Sequence, residues 1–417
     1  MKNIVIHTTN YNLQPAQIDS FEKLYKKYSI PSFVFTKKIS KKDFSRKSEL
    51  KTKWVFLKEY KTKDDLILQI KQLRNWYIWC FDETLINFIN EIKKDLWLEY
   101  TLHYKAFTDK NLQRKLLLNY DKSITVNFIK THINDITDKK IGLIWYPFII
   151  KPIWWTASKG VKIIKNKSDL ENYIKNYHKV FQKLEDSWFK INDVLLEEYI
   201  DWTAWSIDYF VDKNQNIYIT KHVFLEFWID FWIDDFCNIS RIISQEKENE
   251  LDLEQLKDFL EKNIKALWIK NTFVHHEFKF TSKWQFKTIE LNWRIGWFRL
   301  NMYQQAYSFN LLEIPFINLK PWFINLKLKN NYSIVTLYPK EEWIFNWINI
   351  DIEKQIRNLA SFEKIILLNK YINKKIGLAK QGYQAVWNIK LKNNNFQQFK
   401  KDYNFLKENY FKLLKIS

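Results

Sequence analysis

Glycine is nearly missing: the chain has five in 417 residues, against about 7% in an ordinary protein. A chain so poor in the residue that takes positive φ freely should form few tight turns, few left-handed helix caps and no loop whose backbone N–H groups approach a phosphate. Cysteine is as scarce. Cys80 and Cys237 stand alone, which excludes a disulfide framework or a Cys-based metal knuckle and suits a reducing cytoplasm. Seven prolines, with no Pro- or Ser-rich tract, leave no low-complexity linker. No run of about 18 uncharged apolar residues reads as a membrane span. The start MKNIVIHTTNYNLQP reads as a first strand and not as a secretory signal.

What the chain has instead is tryptophan, twenty residues of it, at positions where glycine is expected. In PFIIKPIWWTASKGVKII the pair Trp154-Trp155 occupies a loop built like a phosphate cradle, where two indoles would keep backbone N–H groups from an anion. Trp97 ends a helical stretch, Trp145 precedes Tyr146-Pro147, Trp284 lies in the turn SKWQ, and Trp293 and Trp297 sit in ELNWRIGWFRL. Each is expected to be a turn, cap or close-approach position. Reading all twenty as glycine restores a share of about 6%, close to the usual one. The expectation is that they stand for natural glycines, through a genome that reads UGA as glycine and a translation that reads it as tryptophan. A genuinely Trp-rich protein, with indoles for core packing or carbohydrate stacking, is the plainer alternative.

The formal net charge is +20, but the lysines run from Lys2 to Lys415 without clustering and accompany an excess of Asn and Ile, the bias of an AT-rich genome. Nucleic acid is therefore not expected as a primary partner. Residues 1–104 alternate strand-like runs (NIVIHTT, SFVFT, WVFLKEY, WYIWCF) with amphipathic stretches at Gln17–Tyr28 and Asp64–Leu73, the pattern of an open α/β domain. Residues 105–313 carry the motifs. Residues 314–417 are expected as a third, strand-rich unit (YSIVTLYP, WIFNWINI, KIILLN) closed by a helix from Phe396 to Leu414. The fold class expected is α+β.

Three motifs fall in order. Lys110 and then Lys151 precede the cradle loop and pair with it, supplying point charges for phosphate oxygens; alone they could be solvated lysines beside a surface turn. The run LLEEYIDWTAWSID places the acidic pair Glu197-Glu198 and Tyr199-Ile200 at a strand end, where an adenine edge can be met; alone it is an edge strand with solvated acids. In HHEFKF followed by TIELNWRIGWFRL, Glu277 and Glu290 lie thirteen apart. Asn292 is two beyond Glu290, on the same strand face. Two carboxylates and an amide oxygen are hard ligands suited to magnesium beside phosphate, and Arg294 continues that face as an anion clamp.

In combination these motifs resemble the ATP-grasp superfamily, which includes biotin carboxylase, D-alanine:D-alanine ligase and the L-amino acid ligases. The resemblance rests on Asp109-Lys110, Lys151 to Val161 read with glycines, Glu197 to Ile200, and HxE followed by Glu290 to Gly296. It implies a nucleotide gripped between two α+β lobes, with the N-terminal α/β domain helping to hold the substrate and a C-terminal strand-rich subdomain. Lys110, Lys151, the loop residues Trp154, Trp155, Ser158 and Gly160, and Glu197, Glu198, Tyr199 and Ile200 would contact ATP. Glu277, Glu290 and Asn292 would hold Mg2+ or Mn2+, and Arg294 with Lys151 would act on the reacting groups. Where relatives carry a ribose-binding glutamate this chain has Ala204, so Asp201 or Asp208 is expected to take that contact. The late segment KKIGLAKQGYQAVWNIK is loosely similar to that of L-amino acid ligases and carnosine synthase.

The activity implied is ATP-dependent activation of a small carboxylate as an acyl phosphate for attack by an amine, releasing ADP and phosphate, with no membrane partner. A bicarbonate-activating carboxylase or carbamoyl-phosphate-type ligase is the alternative within enzymes. A basic nucleotide- or RNA-binding protein without turnover is the alternative outside them.

Overall fold

The computed structural model describes residues 1–153, 160–181, 193–201, 203–231, 235, 237–281, 285–367, 372–379, 383 and 385–415. Four short apolar runs, β1 (Lys2–Ile6), β2 (Ser32–Thr36), β3 (Val55–Glu59) and β4 (Trp76–Cys80), form a parallel sheet in the order β3-β2-β1-β4. Parallel strands need crossovers, and the amphipathic stretches supply them. The helix Pro15–Tyr28 starts on Pro15 with a Gln14/Gln17 capping box and buries Ile18, Phe21 and Leu24. Its counterpart Lys63–Leu73 is capped by Thr62 and buries Leu66, Ile67 and Ile70.

Two further sheets carry the rest. The smaller comprises β5 (Phe128–His132), β6 (Phe148–Pro152), β7 (Lys162–Ile164) and β8 (Asp193–Glu198), antiparallel in the order β5-β8-β6-β7, around a core that includes Ile150, Ile164, Val194 and Leu196. The larger contains β9 (Ala204–Val211), β10 (Ile217–Phe227), β11 (Asn238–Ile243), β12 (Thr272–Phe280), β13 (Phe286–Asn292), β14 (Trp322–Phe323) and β15 (Asn331–Leu337). Its path runs β13-β12-β9-β10-β11-β15 and continues through the strands Trp387–Asn393 and Phe362–Leu367, with β14 beside β10. The strand-rich unit expected from residue 314 shares one sheet with the preceding segment, through antiparallel pairing of β11 with β15. The closing helix is shorter than expected, Phe396–Asn409, followed by a 3-10 turn. Among the described residues no helix is long and apolar enough to cross a membrane.

The tryptophans divide. Trp54, Trp97, Trp145, Trp268 and Trp322 have φ of 58°, 56°, 66°, 50° and 86°. Asn and Ser, the other residue types recurring at positive φ here, have short polar side chains; an indole is far less tolerated in the left-handed region. Trp268 is the left-handed C-cap of the helix Leu253–Leu267, and Trp97, just past the helix Ile86–Asp95, is 96% exposed. Trp145, at φ 66° and ψ 150°, lies in a region essentially reserved for glycine. Trp79, Trp205, Trp293 and Trp387, by contrast, are buried. Nε1 of Trp79 donates to Asn3 Oδ1 at 2.6 Å, and those of Trp205 and Trp293 donate to Thr203 and Thr101 hydroxyls at 3.2 Å. Trp293, expected at a close-approach position, instead packs its ring 4.6 Å from the Lys93 ammonium. Trp154, Trp155, Ser158 and Trp284 lie outside the described residues.

Candidate active site

The site is built outward from the β12/β13 pair. In their antiparallel register His275 faces Asn292 and Glu277 faces Glu290, so a square of four polar residues occupies one face. The register then shifts, with Phe278 opposite Thr288, leaving Ile289 as the extra residue of a β-bulge beside Glu290. Carboxylates directly opposite one another repel, and two neighbours compensate them. Lys110 Nζ lies 3.0 Å from Glu290 Oε1, and His275 Nε2 lies 3.4 Å from Glu277 Oε1. Burial works against ionised Glu290, but Lys110, Lys151 and Arg294 outweigh it and hold its pKa at about 2.

Among the described residues no three His, Cys, Asp or Glu side chains form a ready-made metal cage. Glu277, Glu290 and Asn292 are an incomplete set of hard oxygen donors, the kind that phosphate oxygens and water complete around magnesium. The residues present fit such an ion.

Lys110 opens the helix Lys110–Tyr120, whose N-cap Asp109 accepts from Leu112 N at 3.0 Å. Lys151 lies on β6, diagonal to Glu197 on β8 and on the same face. Both are nearly inaccessible, at 6% and 4% exposure, and Lys151 Nζ meets Glu197 Oε2 at 2.7 Å. The second partner of Glu197 is Arg114, with Nε at 2.8 Å from Oε1. Burial lowers the Lys151 pKa to about 8, with Arg114 and Lys110 adding to the effect and Glu197 opposing it. The Glu197 carboxylate is thus engaged in fixing the lysine.

Glu198 ends β8 and, with Tyr199 and Ile200 just beyond it, lines a pocket shared with Val126, Ile149, Leu225, Phe227, Phe278, Ile289, Lys110, Lys151 and Glu290. Ala204 lines it as well. Asp208, one of the two candidates for a ribose contact, is buried and already engaged: it accepts from Gly296 N at 2.7 Å and Arg299 Nε at 3.1 Å, and meets His275 Nδ1 at 3.1 Å. Burial disfavours a charge on His275, and Asp208 and Glu277 overcome it, raising its pKa. Asp201 is exposed, 3.3 Å from the Tyr199 hydroxyl. Gly160 precedes β7 at φ 67°. Gly296 is a close approach, where a Cβ would meet His275 at 2.7 Å. Beyond Glu290 opens a second cavity of about 390 Å³, lined by Glu83, Arg241, Arg294, Trp297, Arg299 and Tyr338 among others. Arg294 donates from Nη2 to Glu83 at 3.0 Å.

Residues 144–299 match the sequence profile of a family described as the ATP-grasp domain. The chain carries an ATP-grasp domain. Solved structures share its fold end to end. An L-amino acid ligase from Bacillus licheniformis is 14% identical with a TM-score of 0.67, over 100% of this chain and 98% of that one. N5-carboxyaminoimidazole synthetase from Staphylococcus aureus, complexed with ADP, is 15% identical with a TM-score of 0.65, over 97% and 96%. Biotin carboxylase from Campylobacter jejuni is 11% identical with a TM-score of 0.61, over 100% and 92%. No curated protein matches the sequence.

Within this ATP-grasp frame the structure brings together Lys110, Lys151, Glu197, Glu277, Glu290, Asn292 and Arg294 from five separate segments. It adds residues that sequence reasoning missed. Arg114 is one helical turn beyond Lys110, a spacing that could have flagged it. Lys279, two beyond Glu277, donates to Ile200 O at 2.7 Å and so steadies the β8 end; strand periodicity pointed to it. Nothing local marked Glu83 or Arg241.

Proposed function

We propose that this chain is an ATP-dependent ligase that activates a small carboxylate as an acyl phosphate, which an amine then attacks to release phosphate. The observation that carries this reading is the arrangement on either side of Glu277 and Glu290. An apolar pocket with two lysines at its inner end lies on one side, and an arginine-lined cavity large enough for an organic substrate on the other. Transfer in line across that boundary needs no protein nucleophile. It needs the γ-phosphate and the acceptor oxygen aligned and their charge neutralised.

Lys151 and Lys110 would hold the phosphates, and Arg294 would orient the acceptor carboxylate. Glu277, Glu290 and Asn292 would hold magnesium, which when bound supplies charge neutralisation at the phosphates. The cavity volume supports an organic acid over bicarbonate, and two paired carboxylates are of little use to a protein that only binds RNA. The test is ADP release from Mg-ATP against pooled amino acids and small carboxylates, with and without bicarbonate. Amine-dependent release is expected. Release driven by bicarbonate alone would make the chain a carboxylase, and tight Mg-ATP binding without release would make it a binding protein.

We also propose that glycine stands in the natural protein where tryptophan is printed, through UGA read as glycine. Support is strongest at Trp54, Trp97, Trp145, Trp268 and Trp322, where the backbone adopts positive φ, each worth about 1–3 kcal/mol of strain for a bulky residue. It is weakest at Trp79, Trp205, Trp293 and Trp387, whose rings are packed. Peptide masses from native protein read each position. Indole masses at the five positive-φ sites would end this proposal.

A further inference from the structure

The cavity beyond Glu290 contains three arginines, and they are not equivalent. Arg299 is committed to Asp208 at 3.1 Å and to the Ser206 hydroxyl. Arg294 is committed to Glu83, at 3.0 and 3.3 Å, and to the Ile295 carbonyl. Arg241, at the middle of β11, has its guanidinium 4.9 Å above the Phe298 ring and makes one hydrogen bond, from Nη1 to Thr336 Oγ1 at 3.2 Å. Among the described residues no carboxylate pairs with it. A guanidinium carries five N–H donors and stays charged at any working pH, so Arg241 leaves most of its donors uncommitted on the wall of a cavity built for a substrate. A half-buried cation that lacks an acid is completed by an anion from outside the chain. The aromatic face beneath fixes the plane of the fork, which suits a carboxylate held by two parallel bonds.

That anion is not the group to be phosphorylated. On the ligase reading the acceptor oxygen lies beside Glu290 and Lys151, and Arg294, which keeps one N–H on each terminal nitrogen beyond Glu83 and the Ile295 carbonyl, would serve that end of the cavity. We infer that Arg241 seats a second carboxylate, one that stays unreacted and determines which substrate is accepted. This rests on the ligase reading. The carboxylate belongs either to a dicarboxylic acid substrate or to an amino acid that supplies the amine.

Matched probes separate the two sources: succinate against butyrate for the acid, and alanine against alaninamide for the amine. The full chain and its Arg241→Gln and Arg241→Lys variants would be assayed for ADP release. Their thermal midpoints would also be read with each probe in the presence of a non-hydrolysable Mg-ATP analogue. The unsubstituted chain should favour the carboxylate-bearing member of one pair by about 10- to 100-fold, the usual worth of a charge-assisted contact. Arg241→Gln should abolish that preference with KM for ATP unchanged, and Arg241→Lys should keep part of it. Should Arg241→Gln fail to fold, the Lys variant, which keeps the charge and loses the fork, still reads the effect. A raised KM for ATP, or a fall in kcat with the preference intact, would assign Arg241 to the phosphate and overturn the inference. No preference within either pair would overturn it too. If no probe elicits ADP release, the ligase reading fails on its own, while the midpoint shifts still report whether Arg241 selects a carboxylate.

Discussion

The pocket bounded by β8 and β10 and the cavity beyond Glu290 share a wall of two carboxylates and differ in nearly everything else. The pocket is walled by branched and aromatic side chains on regular strands, and its polar rim is the end of β8, where main-chain groups are available. On the proposed reading, shape and backbone would suffice there for a flat aromatic base. The cavity is lined by charged and polar residues from distant segments: Glu83 from the N-terminal segment, Arg241 of β11, Arg294 and Arg299 beyond β13, and the neutral Tyr338 after β15. On the proposed reading, the difference says where selectivity would be held: the strand-built side is what a common fold can supply, and the assembled side is where a substrate would be chosen.

That contrast can be broken most severely at the boundary. Glu290→Gln removes a carboxylate common to both sides and should lower magnesium-dependent turnover by on the order of 10³-fold; near-normal ADP release at limiting magnesium would show that the two hollows do not meet there. Lys151→Ala should cost on the order of 10²-fold in kcat/KM for ATP, while KM for the carboxylate holds. An equal loss on both substrates would erase the distinction.

A pH series sharpens it further. Free Lys151 loses its proton as pH rises through about 8, whereas bound phosphate favours the charged form. Binding therefore takes up a proton above that pH, and ATP affinity should be flat below about 8 and fall by up to about tenfold per unit above it. Lys151→Arg, always charged, should flatten the profile. The smallest effect is expected at the rim, where Trp297 is 63% exposed. Trp297→Gly should lower KM for the carboxylate by about threefold or less and leave ATP binding alone.

What was legible in the chain was local. Alternation of apolar runs with amphipathic stretches announces the N-terminal sheet because each element is specified by its own period. Glu290 and Asn292 share a face for the same reason, and Trp97 and Trp145 read as glycine positions because helix ends carry a backbone signature. What was hidden is whatever depends on partners far along the chain. The pairing of β11 with β15, which merges the last hundred residues into the central sheet, leaves no mark in either strand. Arg114 meets Glu197 across 83 positions. Trp293 lies in a motif that reads as turn and packs as core, since burial is decided by what folds over it.

Arg114 carries a consequence for how this protein can change. Besides holding Glu197, and through it Lys151, its guanidinium donates to the carbonyl of Ile289, the bulged residue that positions Glu290, at 2.6 Å. One side chain thus spans Lys151 and the kink under Glu277 and Glu290. Substitutions at Lys151, Glu197 and Ile289 share that intermediary, so their effects should not sum. An evolutionary path that retunes nucleotide affinity will shift the background on which changes beside Glu290 are judged, and the order in which such mutations arrive will decide which of them survive.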